Sequence, residues 1–488
     1  MHLPRPLVIL LALLGLACRG PVGRDAGGAA DGGSAEPPDG GAPDRDGGPL
    51  LDAATGVALP TIAEALGDCD GLATDPGPSP NQLRAATPGT AGALHQYVLD
   101  APEARCNDGS PAVMYVRPGT GADARRWVVH LQGGGACATY EDCATRWCGY
   151  SRDEAGRVVR GYYDGSKMSS AWGWGTPGQL PALVDASGIH SSDARNPFRD
   201  WTQVYFYYCS SDAWSGQGVA TYVSEDGASS FTVERRGHQI LEAGLAALRA
   251  GITTADGTRL SSLTDAELVL FNGTSAGSVG ARTNADWVSE QLAPVPVLAA
   301  FDAAIDPNDD VLPADGVALR EEAMRFGWAR RLAAESVAPF VDESCAAREG
   351  PRDELFRCGS AVYFTYDHIT TPFFVRQDVI DPNPLDTYLA LGLTVAQYEG
   401  LHRASLQTFA TLPEDAVEGP AMTRPPSVFG PRCGQHVGFE STRVFLGDAI
   451  ETPMGRVSAA AALHAWVDGA DGHLIDGVGA LSSTCDAP

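Results

Sequence analysis

A five-residue turn between a strand and a helix restricts this chain's fold more than any other feature. Leu268-Val269-Leu270-Phe271 is a short run apolar on both faces, Gly273-Thr274-Ser275-Ala276-Gly277 follows it, and Ser278 to Asp286 suits a helix. With 57 glycines in 488 residues, G-x-S-x-G alone is a weak signal, and a plain glycine-rich loop is the competing reading. The flanks decide between them. A strand leading in and a helix leading out put Ser275 on a strained turn at a sheet edge, with its hydroxyl exposed. Any side chain at position 273 or 277 would crowd that turn.

The surrounding chain supplies a sheet for such a turn. Strands are predicted at Ala112 to Val116, Trp127 to Leu131, Val204 to Tyr208, Val295 to Phe301 and Phe373 to Val379. Several are apolar on both faces, as parallel strands covered by helices must be. Helices are predicted at Arg235 to Ala250, Ala318 to Glu335 and Thr394 to Thr411. Strand–helix alternation gives an α/β fold with a doubly wound, mostly parallel sheet. Upstream, the Trp127–Leu131 run passes into Gln132-Gly133-Gly134-Gly135-Ala136-Cys137. Glycines directly after a strand can aim backbone N–H groups at one point, as an oxyanion site requires. The Gly134 and Gly135 N–H groups, with that of Ala276 after the serine, are the candidate donors.

The formal net charge is −27, with 34 basic residues against 61 acidic. That balance argues against a nucleic-acid partner, which needs a basic footprint, and against charge-driven docking on an anionic membrane. Residues 1–18 read as a signal peptide. Arg5 precedes an apolar stretch from Leu7 to Leu16, and Leu14-Gly15-Leu16-Ala17-Cys18 resembles a bacterial lipobox that would put a lipid anchor on Cys18. Residues 19–60, rich in Gly, Ala, Pro and Asp, cannot bury enough apolar area to offset ordering entropy and read as a disordered tether. Residues 61–488 then form the catalytic domain, with no later apolar run of membrane-spanning length. The product is expected at the bacterial cell envelope, as an outer-membrane lipoprotein, or outside the cell.

Ten cysteines follow Cys18, an even number that suits disulfides in an exported chain. Cys137–Cys143, Cys345–Cys358 and Cys433–Cys485 are the expected pairs. The spacings show no zinc knuckle, so no metal is expected.

Three motifs together resemble the pectin acetylesterase/Notum family: Leu131 to Cys137, Gly273 to Gly277, and Tyr208-Cys209-Ser210-Ser211-Asp212-Ala213-Trp214-Ser215-Gly216. The middle stretch, Tyr208 to Gly216, is the most specific and is closer to the Notum form. The likeness extends over about residues 95–485. It implies an α/β-hydrolase fold and a Ser–Asp–His carboxylesterase without a cofactor, removing acyl groups from a saccharide or from a lipidated protein. Where the Notum form has bulky aromatics after the paired glycines, this chain has Gly135 and Ala136, and Gln132 replaces the family's acidic residue.

Chain order in such enzymes runs Ser, acid, His. Histidines after Ser275 are His368, His402, His436, His464 and His473. His402 and His464 fall in helical stretches, whereas His436 lies in a glycine-flanked loop beside Cys433 and matches the family's base. For the acid, Asp381 and Asp302 both follow strands, with Asp378 and Asp306 as further rivals. The resemblance selects Asp381. Asp212 and Trp214 are either substrate contacts or parts of a packed turn, and Trp172 and Trp174 form either a saccharide platform or core. The expected activity is a monomeric serine esterase removing O-acyl, chiefly O-acetyl, groups from a saccharide. A longer-chain lipid-acyl hydrolase and a non-catalytic surface binding protein on the same scaffold are the alternatives.

Overall fold

Ten strands form one sheet. In chain order they are β1 Leu94–Val98, β2 Val113–Arg117, β3 Arg126–Leu131, β4 Leu183–Val184, β5 Thr202–Phe206, β6 Leu268–Thr274, β7 Val297–Asp302, β8 Phe373–Arg376, β9 Ser427–Gly430 and β10 His473–Ile475. The structure is a computed structural model. It describes residues 58–66, 84–148, 150–152, 158–160, 167–171, 180–307, 314–359, 368–390, 392–410 and 424–485. The proposed signal segment, Cys18, the tether up to residue 57, Cys69, Trp172 and Trp174 lie outside the described residues.

The spatial order is β10-β9-β8-β7-β6-β3-β5-β2-β1-β4. From β10 to β5 every pairing is parallel, while β2 runs antiparallel to β5 and β1 antiparallel to β2. This is the α/β-hydrolase architecture that the motifs imply. The principal helices are α1 Tyr140–Cys148, α2 Gly237–Ala250, α3 Ala276–Leu292, α4 Ala314–Ala334, α5 Pro382–Ala390, α6 Val395–Ala410 and α7 Ala459–Val467.

Alternation along each strand explains the doubly apolar runs. Val129, Phe271, Ala299 and Val375 point into one core, which Leu241 and Leu245 of α2, Ala285 and Val288 of α3, and Phe409 of α6 complete. Their neighbours Val128, Leu270, Ala300 and Phe374 point into a second core, closed by Leu463 and Trp466 of α7 and by Phe445. With both faces covered, the few polar residues in these strands, such as His130 and Asn272, are buried and bonded to one another.

Several strand ends differ from expectation by a few residues, with β6 running on to Thr274 past the predicted Phe271. The tyrosines Tyr207 and Tyr208 leave β5 for a turn, and β8 stops at Arg376 because Gln377 and Asp378 spend their polar groups on neighbouring loops. Strands β1, β4, β9 and β10 were not anticipated; β4 and β10, with two and three residues, are too short to show a period. All three expected disulfides form, and Cys106–Cys209 adds a fourth among the described residues. No helix among the described residues is long and apolar enough to cross a membrane.

The sheet brings the chemistry-bearing loops to one edge. Strand β3 lies between β5 and β6, so the chain winds outward from it in both directions. Leu131 pairs with Gly273 and Thr274 with Asp302, so the glycine loop, the Ser275 turn and the loops after β7 and β8 leave the sheet side by side. A reversal in strand order leaves a crevice at the carboxyl edge of an open sheet, and ligands bind there.

Candidate active site

Ser275 occupies the turn from β6 into α3 with φ +55° and ψ −122°. A non-glycine residue held at positive φ costs on the order of 1–3 kcal/mol and persists only where its surroundings enforce it. Here the Ser275 N–H donates to the Asp302 carbonyl at 2.8 Å. The turn is so tight that a Cβ on Gly277 would lie 1.9 Å from the Leu131 carbonyl oxygen. Only glycine fits.

His436 sits in the loop after β9, and its Nε2 lies 2.9 Å from Ser275 Oγ. Its Nδ1 faces both oxygens of Asp381 at 2.9 Å. Asp381 itself is fully buried at the start of α5, where Pro382 takes the first helical position and the Asn383 N–H donates to Asp381 Oδ1 at 3.0 Å. This is an N-cap, and the helix terminus favours the ionised carboxyl. Gln377 Nε2 donates to the other oxygen at 2.8 Å.

Charge and burial compete in this trio. Burial pushes the Asp381 carboxyl up, but the charge and hydrogen bond of His436, with the Asn383 and Gln377 donors, bring it below its ordinary value. Burial likewise disfavours the imidazolium of His436. The Asp381 carboxylate, with Asp302 behind it, outweighs that and raises the ring above its usual value near 6.5.

The glycine loop packs against the serine turn. Gly134 and Gly135 adopt φ of +143° and +69°, and the Gly133 N–H is engaged elsewhere, donating to Glu440 Oε1 at 2.9 Å. The Ala276 N–H opens α3, one of the first-turn donors a helix leaves without an internal partner. The described geometry therefore gathers a hydroxyl, an imidazole, a carboxylate and glycine-loop amides at one sheet edge. Among the described residues no group of His, Cys, Asp or Glu is arranged to hold a metal ion.

A profile of the pectinacetylesterase family ("Pectinacetylesterase") matches residues 93–486. The chain belongs to this family. The pectinacetylesterases and their Notum relatives are carboxylic ester hydrolases. This pectinacetylesterase-family chain is 30% identical over 198 residues to palmitoleoyl-protein carboxylesterase notum1 of Xenopus laevis, covering 40% of this chain and 32% of that protein. It is 25% identical over 253 residues to pectin acetylesterase 5 of Arabidopsis thaliana, with 51% and 49% covered. The chain thus spans about a third to a half of the length of these curated relatives. Its fold is similar to that of the Wnt deacylase Notum from Drosophila, with a TM-score of 0.56 at 22% identity over 79% of this chain and 97% of that one.

Within this pectinacetylesterase-family chain, the rival acids have other work. Asp302 accepts from the Thr274 hydroxyl and from the Gly438 and Phe439 N–H groups, each at 2.8 Å, and faces Arg376 Nη1 at 3.3 Å. Asp378 accepts the N–H groups of Cys433, Gly434 and Gln435. Burial pushes its carboxyl up to about 6, against the opposing pull of Arg376 and those amides. The two carboxylates thus grip the His436 loop from both sides, with buried Arg376 between them. A Cβ on Gly438 would come within 2.7 Å of both Arg376 Nε and Asp302 Oδ1. Asp306 faces Arg320 at 3.7 Å instead.

The remaining histidines are also accounted for. Both ring nitrogens of buried His402 face carbonyl oxygens at 3.0 Å, those of Val379 and Ile305. His464 faces Asp468, His368 faces Ser344, and His473 lies on β10.

Asp212 and Trp214 lie in a packed turn, one of the two readings the sequence offers for them. Both are buried. Asp212 Oδ1 accepts from Ser210 Oγ and the Trp214 N–H, and Oδ2 from the Gly237 N–H. Trp214 Nε1 donates to the Gln132 carbonyl at 3.1 Å, and the indole lies against Gly280 of α3. Ser211, Ala213 and Trp214 all take positive φ, so Asp212 holds a strained turn that backs the glycine loop.

Sequence reasoning missed Arg376, Gln377 and Glu440, and weighed Asp378 only as a rival acid. The usable signal was three polar residues in succession directly after the apolar Phe373-Phe374-Val375. Glu440 gave none, because its partners Gly133 and His130 are about 300 positions away.

Proposed function

We propose that this chain is a serine carboxylesterase that removes O-acyl groups, chiefly O-acetyl, from a saccharide. The observation that carries the reading is the run of contacts from Asp381 through His436 to Ser275, ending on a hydroxyl at a positive-φ turn. Ser275 Oγ attacks the ester carbonyl while His436 Nε2 takes its proton. Asp381 fixes the tautomer that leaves Nε2 free and stabilises the imidazolium. The N–H groups of Gly134, Gly135 and Ala276 receive the oxyanion, each such donor being worth about 3 kcal/mol. His436 then delivers its proton to the leaving oxygen, and a water it activates releases the acid. Every step uses this chain's own side chains, so the reaction needs no cofactor and a monomer suffices.

A signal peptide, with a lipid on Cys18 and the tether behind it, would hold the enzyme at the cell envelope. The disulfides favour such an oxidising location. A second reading, hydrolysis of longer acyl chains, is favoured by similarity to proteins named as palmitoleoyl-protein carboxylesterases.

Hydrolysis of p-nitrophenyl esters from acetate to palmitate by the exported chain separates the two. Preference for acetate, with release of acetate from an O-acetylated saccharide, is the expected result. A maximum at long chains would replace the deacetylase by the lipid-acyl hydrolase. No hydrolysis of any ester would leave the non-catalytic binding protein.

A further inference from the structure

The reacting nitrogen of His436 has a second neighbour besides Ser275. Asn383 Nδ2 lies 3.3 Å from His436 Nε2, on an exposed side chain in the first turn of α5. Because His436 Nδ1 gives its hydrogen to Asp381, Nε2 is an acceptor with one in-plane lone pair. That lone pair already faces the Ser275 hydroxyl at 2.9 Å, so the amide holds the longer, solvent-side position.

Any oxygen that exchanges a proton with Nε2 must come within about 2.6–3.2 Å of it. Two such oxygens occur in ester hydrolysis, and they use the same space by microscopic reversibility. One is the leaving-group oxygen and the other is the deacylating water. Both must approach from the open side of the ring, which the Asn383 amide borders.

We propose that Asn383 is a further catalytic residue, whose amide holds the leaving-group oxygen and then the deacylating water at His436 Nε2; this rests on the esterase reading above. In acylation the Ser275 Oγ–carbon bond forms and the carbonyl carbon–alkoxy bond breaks. The serine proton passes through Nε2 to the departing oxygen, whose growing negative charge the Asn383 N–H partly neutralises. In deacylation a water oxygen bonds the acyl carbon as the Ser275 Oγ–carbon bond breaks. One water proton passes through Nε2 to Ser275 Oγ, while the other stays on the oxygen that becomes the acid's hydroxyl and donates a hydrogen bond to the amide, turned to offer Oδ1. An amide serves both oxygens because it carries donor and acceptor on one group.

Side-chain replacement leaves the triad's support in place, since Asn383 holds Asp381 through its backbone N–H. The test compares wild type, Ser275→Ala and Asn383→Ala on p-nitrophenyl acetate. Acylation is read from a single turnover with enzyme in excess, and deacylation from steady-state release. p-Nitrophenolate departs without a proton, so Asn383→Ala should acylate at the wild-type rate and deacylate about tenfold more slowly. On an alkyl acetate, whose leaving group needs a proton, acylation should slow by a similar factor. Asn383→Asp keeps an acceptor and adds a charge beside the ring, so its acid limb should move to higher pH. Unchanged rates for both phases in Asn383→Ala, or an equal fall in both on the nitrophenyl ester, would overturn the assignment. Wild-type turnover that survives in Ser275→Ala would overturn the esterase reading itself, a separate and visible failure.

Discussion

Ser275→Ala should lose p-nitrophenyl acetate turnover by a factor on the order of 10⁵–10⁶, while its melting temperature holds or rises. The loss follows from removing the hydroxyl that faces His436, and members of such a unit are not replaced by the others. The stability expectation has a separate cause. Ser275 is held at positive φ by the Asp302 carbonyl and by the packing of the glycine loop, not by its own hydroxyl. Alanine removes a buried polar group without relieving or adding backbone strain. Steady-state assay beside thermal unfolding of the same samples checks both halves.

Asp381→Asn and Asp302→Asn should fail in opposite ways, although both carboxyls are buried beside the same loop. Asp381→Asn keeps the side chain's shape but lets its amide hold the wrong imidazole tautomer, costing about 10⁴ in kcat. The pH profile should move as well. The base works as neutral imidazole, so a ring raised above 6.5 places the wild-type acid limb above that pH, with activity rising through it. Without the Asp381 charge, burial dominates and the limb should move down. Asp302→Asn would instead turn an amide N–H₂ toward either the Thr274, Gly438 and Phe439 donors, which share Oδ2, or the Arg376 guanidinium on Oδ1. Breaking a buried charge cluster costs about 3–5 kcal/mol, so this variant should show chiefly a fall in melting temperature. A pH series of kcat/KM and a denaturant titration on each variant decide which aspartate is the acid.

Local order was legible where the physics is local. The strand, G-x-S-x-G and helix are contiguous, and each constrains the next, so residues 268–286 could be read directly. His436 stood out because glycines and a cysteine flank it, and two of its rivals, His402 and His464, lay on helices. What could not be read depends on residues far apart in the chain. Nothing around Asp302 announces that its carboxylate caps Gly438 and Phe439, 136 and 137 positions on. The Tyr208–Gly216 stretch was recognisable as a motif, yet its role as a strained turn behind Gln132 needed the Trp214 indole in place. Short edge strands such as Leu183–Val184 carry too few residues to reveal a period of two.

The most direct test of the central claim is to treat the exported protein with an alkyl phosphonofluoridate and locate the adduct by peptide mass spectrometry. The account predicts phosphonate on Ser275 alone, ester hydrolysis lost in step with labelling, and much slower labelling in His436→Ala. Full turnover in protein labelled to completion at Ser275, or inactivation with the label on a different residue, would contradict it.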